Sequence, residues 1–129
     1  MSDSVLFGWI GRIFRRRERE RKLRTAEGWP AVTAKLLTST LVMKDGLAEG
    51  ASDVQDSQVE CPYYFTIAEG FFGGHVRSVP CTDSEGRRMQ RLLVEGMPVT
   101  VRYNPANPDE GCVLGGDNVG ALPFVVWPG

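Results

Sequence analysis

Apolar and polar residues alternate along several short stretches of this chain, and these stretches predict its elements. "VECPYYFTI" (59–67) sets Val59, Cys61, Tyr63, Phe65 and Ile67 on one face, the period of a half-buried strand. Glu69-Gly70 supplies a turn, and "FFGGHVRSV" returns as the next strand. A simple hairpin would then set Ile67 opposite Phe72 and Tyr63 opposite Val76. Pro62 has no N–H to give a ladder, so it is expected at an edge or a bulge. Upstream, Trp29-Pro30 marks an entry into extended chain, and Val32 to Met43 reads as one strand whose imperfect alternation allows a bulge. Downstream, "MPVTVRY" puts Val99, Val101 and Tyr103 on one face, and "CVL" (112–114) closes the series as a fifth strand.

The pattern breaks in three places. Residues 44–57 are polar, acidic and small, and read as a long loop. "DSEGRRMQRLLVEG" changes to helical spacing: Met89, Leu92 and Leu93 make a stripe, Asp83 or Ser84 can cap it, and Gly96 ends it. In "NPANPDEG" the prolines Pro105 and Pro108 are expected outside any ladder, while Asn104 and Asn107 can bond back to the backbone. That segment reads first as a stiff connection between two strands. Tyr103, Asn104, Pro105, Asn107 and Pro108 are also the recognition-loop candidates, because a rigid loop loses little entropy on binding.

Together these elements predict a mainly β (α+β) fold. It is a small five-stranded antiparallel barrel or curled sheet, with one short helix between the third and fourth strands and the element order of an OB-type fold. An amphipathic helix precedes it. The chain divides into a basic leader (1–27), a β-rich domain (28–116) and an apolar tail or extra strand (117–129). At 129 residues it can bury roughly two-thirds of its unfolded surface, so no disulfide or structural metal is needed for folding.

Charge changes the picture at the leader. Residues 1–24 carry eight basic and three acidic groups, +5, and the remainder carries seven basic and thirteen acidic groups, −6. On a helix Leu6, Trp9, Ile10 and Ile13 share a face flanked by Phe14, and Arg15, Arg16 and Arg17 follow. That is the pattern of a short helix lying in the plane of an anionic membrane, and those eight residues are the membrane-contact candidates. The alternative is a helix docked on the body with its charges in water. No run reaches the roughly 18–20 apolar residues of a spanning helix. The positive charge follows the apolar run, the reverse of a signal peptide. Three cysteines, Cys61, Cys81 and Cys112, form no CxxC pair and fit reduced thiols in a cytoplasmic setting.

"EGWPAVTAKL", the "PYYFTIAEGFFGG" hairpin and "EGMPVTVRYNPANPDEGCVL" together resemble the domain-of-unknown-function 3592 family over about residues 28–114. Trp29, Pro30, Phe65, Ile67, Phe72 and Gly74 match its earlier blocks, and Gly96, Val99, Val101, Tyr103, Pro105 and Pro108 match its final one. The resemblance implies a bacterial, often membrane-associated β-rich module with no established activity. The matched residues are folding residues, so no catalytic role carries over. Many members have spanning helices beside the domain; this chain has only its short apolar ends.

Candidate chemistry is sparse. "GFFGGHV" lacks the Lys-Ser/Thr and the following helix of a phosphate loop. His75 is the single histidine, and with three cysteines at these spacings it fits no standard zinc module; neither a cofactor nor a metal is expected. The expected function is therefore a non-enzymatic interaction module with a protein partner, held at the cytoplasmic membrane face by its leader. A nucleic-acid binder using the arginine-rich leader is the first alternative, though a body of −6 repels phosphate. An uncharacterised enzyme built around His75 and a cysteine is the second.

Overall fold

A computed structural model describes residues 17–18, 20–43 and 57–127. Residues 17–18 and 20–27 are helical (α1). Six strands follow: β1 (Ala31–Leu36), β2 (Thr40–Met43), β3 (Ser57–Ile67), β4 (Gly70–Arg77), β5 (Pro98–Asn104) and β6 (Asn107–Cys112). Helix α2 (Asp83–Leu92) lies between β4 and β5 in the chain, and a 3-10 turn spans Gly115–Asn118.

The strands form one curled antiparallel sheet. β3 is the long spine, pairing β4 along one side and first β2, then β1 along the other. β1 also pairs β5, and β5 pairs β6. Four successive antiparallel pairings make β4 and β6 run in the same direction, and the curl brings them side by side. No ladder joins them among the described residues. The sheet is thus a half-barrel with an open seam.

The inward face carries the predicted alternation. Val59, Cys61, Tyr63 and Phe65 from β3 and Val99 and Val101 from β5 are buried with Ala34, Leu36, Val76 and Val113. Phe65 lies 5.9 Å from the Phe72 ring and 5.7 Å from that of Tyr103, so aromatic rings fill one end of the interior.

Several expectations are corrected. The stretch from Val32 to Met43 is two strands, because the chain leaves the sheet at residues 37–39. Pro62 therefore lies in the spine and not at an edge: its carbonyl accepts from the Leu37 N–H on the side where β1 and β2 are interrupted, and there no ladder needs its missing donor. The β3–β4 register sets Ile67 opposite Gly70, Phe65 opposite Phe72 and Tyr63 opposite Gly74, because the turn is only Ala68-Glu69, with Ala68 at φ 54°. The fifth predicted strand begins five residues early: Pro108 lies inside β6, where the ladder to β5 jumps from Gly111 to Asn107 through a bulge on an edge strand.

Helix α2 is capped by Thr82, and not by Asp83 or Ser84. The Thr82 hydroxyl accepts from the Glu85 N–H at 3.2 Å, and the Thr82 N–H donates to the Glu85 carboxylate at 3.2 Å, a reciprocal capping box. Its inward stripe is also shifted. Gly86 is buried against Leu41 and Cys81, Leu93 packs on the core, and Leu92 is 58% exposed. A stripe read from large side chains misses a face on which a glycine makes the closest approach.

Candidate functional site

The open seam between β4 and β6 is flanked by two elements that the strand pattern did not place. α1 lies across it from one side, with Ala26 fully buried. From the other side residues 125–127 run antiparallel along β4: the Val79 N–H donates to the Val125 carbonyl, and the Trp127 N–H donates to the Arg77 carbonyl at 2.7 Å. Between them remains a groove of about 210 Å³, lined by Lys22 and Leu23 of α1, His75 and Arg77 of β4, Cys112 of β6 and Trp127.

Beneath the seam sit a tyrosine and two glycines, of which Gly111 also lines the groove. Tyr63 reaches up from the interior, and its hydroxyl packs against Gly74 of β4 and Gly111 of β6. A Cβ on Gly111 would stand 2.6 Å from that oxygen, and one on Gly74 would stand 2.7 Å from the ring carbon bearing it. Both strands therefore need a residue without a side chain at the same height. Burial, and then the neighbouring Cys112, push the Tyr63 hydroxyl up to about 12, so it stays protonated at neutral pH.

α1 is locked to the body at its C-terminal end. The Arg102 guanidinium forks onto Asp117, Nε to Oδ2 at 2.9 Å and Nη2 to Oδ1 at 3.1 Å. Its remaining nitrogen, Nη1, donates to the carbonyls of Trp29 at 2.9 Å and Glu27 at 3.4 Å. One side chain on β5 thus ties the last helical carbonyl, that of Glu27, and the Trp29 carbonyl just beyond the helix to the 3-10 turn. The Arg102 guanidinium holds the Asp117 carboxyl below its usual range. The next residue, Asn118, acts as a stand-in strand. Its side chain accepts from the Thr100 N–H at 2.8 Å and donates to the Thr100 carbonyl at 3.0 Å, closing β5 where β6 has already ended.

The cysteines do not gather. Cys61 and Cys81 are buried, and Cys112 alone borders the groove. Burial pushes the Cys112 thiol up, the Lys22 ammonium opposes that shift, and Asp117 adds to it. Held above its ordinary range, it is a weak nucleophile at neutral pH. His75 borders the same groove with its Nε2 4.0 Å from Glu60, whose other oxygen lies 3.4 Å from Arg77 Nε. No group of three or more His, Cys, Asp or Glu suited to a metal occurs among the described residues.

Of the membrane-contact candidates, Leu6, Trp9, Ile10, Ile13, Phe14, Arg15 and Arg16 lie outside the described residues, and Arg17 is helical and exposed. No helix among the described residues is long and apolar enough to cross a membrane. The recognition-loop candidates are a tight hairpin. Asn104 accepts from the Ala106 N–H at 3.0 Å and donates to Glu110 at 3.1 Å, Pro105 is exposed, Asn107 and Pro108 open β6, and Tyr103 packs on the core. They turn the chain at the end of β5, away from the groove lining.

The matched family residues hold the frame. Phe65, Val99 and Val101 are buried, while Ile67 and Phe72 pack on that core. Gly74 admits Tyr63, and Gly96 sits at φ 91°, where a side chain would be strained. Trp29 and Pro30 offer their carbonyls to Arg102 and to the Tyr103 N–H. Sequence reasoning missed the groove itself. His75 and Arg77 were visible as alternate residues of one strand, but nothing in the pattern placed Lys22 or Trp127, more than 40 residues away on either side, beside them.

No curated protein and no solved structure matches this chain. The model of the family described as Domain of unknown function (DUF3592) matches residues 32–118, which hold all of the sheet except Ala31, the first residue of β1, and run through Asn118. With about two-thirds of its length matched, this chain belongs to the domain-of-unknown-function 3592 family.

Proposed function

We propose that this domain is a non-enzymatic binding module that meets an anionic membrane surface at its cytoplasmic face through α1 and the leader before it, and that the body presents itself there to a protein partner. The observation that carries this reading is how α1 is held. Ala26 and the Arg102 fork fix one side of the helix to the body, while Arg17, Arg21 and Arg24 remain exposed on the other. A basic helix fixed on a body of −6 keeps the acidic surface at a distance from anionic lipid and gives the domain one orientation. The strand order fits an OB-like half-barrel, with β1 between β3 and β5 and with β4 and β6 meeting at the seam. Its interior is occupied by side chains, which favours a binding role for its outer surface.

Co-sedimentation of the full chain with anionic and neutral vesicles, at low and high salt, tests this. The expected result is pelleting with anionic vesicles that weakens with salt and is lost when Arg17, Arg21 and Arg24 are replaced by glutamine. Equal pelleting of that variant, or none by the parent chain, overturns the reading.

A further inference from the structure

We propose that the seam groove is a phosphate-binding site, taking the phosphoryl group of a small ligand or lipid headgroup between Lys22, His75 and Arg77. These three donors reach it from two elements. His75 and Arg77 are alternate residues of β4 and so point to the same side, and Lys22 comes from α1 opposite. Lys22 makes no ion pair among the described residues, although its charge is felt at Cys112 inside the groove. Arg77 meets Glu60 only loosely, through Nε at 3.4 Å, which does not consume its fork. Among the described residues Glu60 is the one carboxylate in an ion pair with these donors, and an incoming anion competes with it for Arg77 and His75.

The remaining walls suit the same ligand. Leu23, Val113 and Val126 are apolar and can pack against the carbon atoms of a ligand, and Trp127 stands beside the cations. A groove of about 210 Å³ has room for a phosphoryl group and the atoms attached to it. A phosphoryl group brings three terminal acceptor oxygens and a charge of about −1.5 to −2, against two oxygens and a single charge for a carboxylate, and so suits donors that meet across the groove from two elements. The site depends on the groove and not on the exposed arginines of α1, so it stands apart from the membrane reading.

The test uses the full chain and amide-resolved NMR. Inorganic phosphate and glycerol 3-phosphate are titrated against chloride at matched ionic strength, and vesicles of phosphatidylcholine with and without phosphatidic acid are compared by pelleting. Saturable shifts at residues 75–77 and 111–113 that weaken at least about tenfold in Lys22→Gln and in Arg77→Gln support a soluble phosphate ligand. Binding to phosphatidic acid vesicles alone, reduced by the same two variants, supports a headgroup. No saturable response to either probe, or one that both variants leave unchanged, overturns the proposal. Pelleting lost with the Arg17, Arg21 and Arg24 variant but intact in Lys22→Gln and Arg77→Gln, together with no saturable response to either soluble probe, overturns the site while leaving the membrane reading standing. Soluble phosphate binding without any vesicle pelleting does the reverse.

Discussion

Replacing Gly111 by alanine tests how the seam is built, because the structure says what the new methyl group meets. It would stand 2.6 Å from the Tyr63 hydroxyl oxygen and 3.2 Å from Val101 Cγ1. Tyr63 is 3% exposed and stacks 6.2 Å from Phe65, so its ring cannot swing aside. Overpacking of this kind costs about 1–3 kcal/mol. Alanine also removes about 0.4–1 kcal/mol of unfolded-state entropy, which offsets part of that. The net expectation is a loss of about 1–2 kcal/mol. For 129 residues the unfolding entropy is about 0.27 kcal/mol/K, so Tm should fall by roughly 4–7 °C. Tyr63→Phe deletes the oxygen that makes the shorter contact. The double variant should therefore be more stable than the sum of the single changes by about 1 kcal/mol, read as a coupling in urea unfolding. A Gly111→Ala variant as stable as the parent, or a cycle additive to within about 0.5 kcal/mol, would refute the account of Tyr63 packed beneath the seam.

Three further outcomes follow from the same contacts. Asn118→Ala removes both partners of Thr100 and should cost roughly 2 kcal/mol in chemical denaturation, with Asn118→Asp no better because it loses the donor to the Thr100 carbonyl. Thr82→Ala removes the capping box of α2 and should cost about 1 kcal/mol, with amide exchange fastest in the first turn of that helix. Asp117 has its folded pKa depressed by Arg102, so its contribution is present above the unfolded value near 4 and is lost as pH falls through the lower folded value. Asp117→Asn should flatten the acid limb of the stability curve below about pH 4 and speed exchange of the Gly28 and Trp29 amides; an unchanged acid limb would contradict the latch.

The strands that were legible are those with one dry face. Val59 to Phe65 and Val99 to Val101 alternate because one side of each meets the core and the other meets water, and that constraint is written residue by residue. Register was less legible. Whether Tyr63 faces Gly74 or Val76 depends on a two-residue turn, and the sequence allows turns of either length. Pro62 was misjudged for a related reason. A proline reveals that no donor is needed on one side, but not whether the neighbour there is solvent or a strand that has just ended. The same limit hid the helix face at Gly86, where the contact is made by an absent side chain.

By itself, the sequence determined the class of the fold, most of its inward-facing strand residues, its family and the division of charge between a basic leader and an acidic remainder. These follow from local periodicity, local turn chemistry and summed charge, none of which requires knowing what lies across the fold. Only the tertiary structure decided the seam. Lys22, His75, Arg77, Cys112 and Trp127 come from both ends and the middle of the chain, and they meet because the sheet curls until β4 and β6 stand side by side without pairing. The gap is kept by a tyrosine that fits only where both strands carry glycine, a relation among three distant residues that no local pattern encodes.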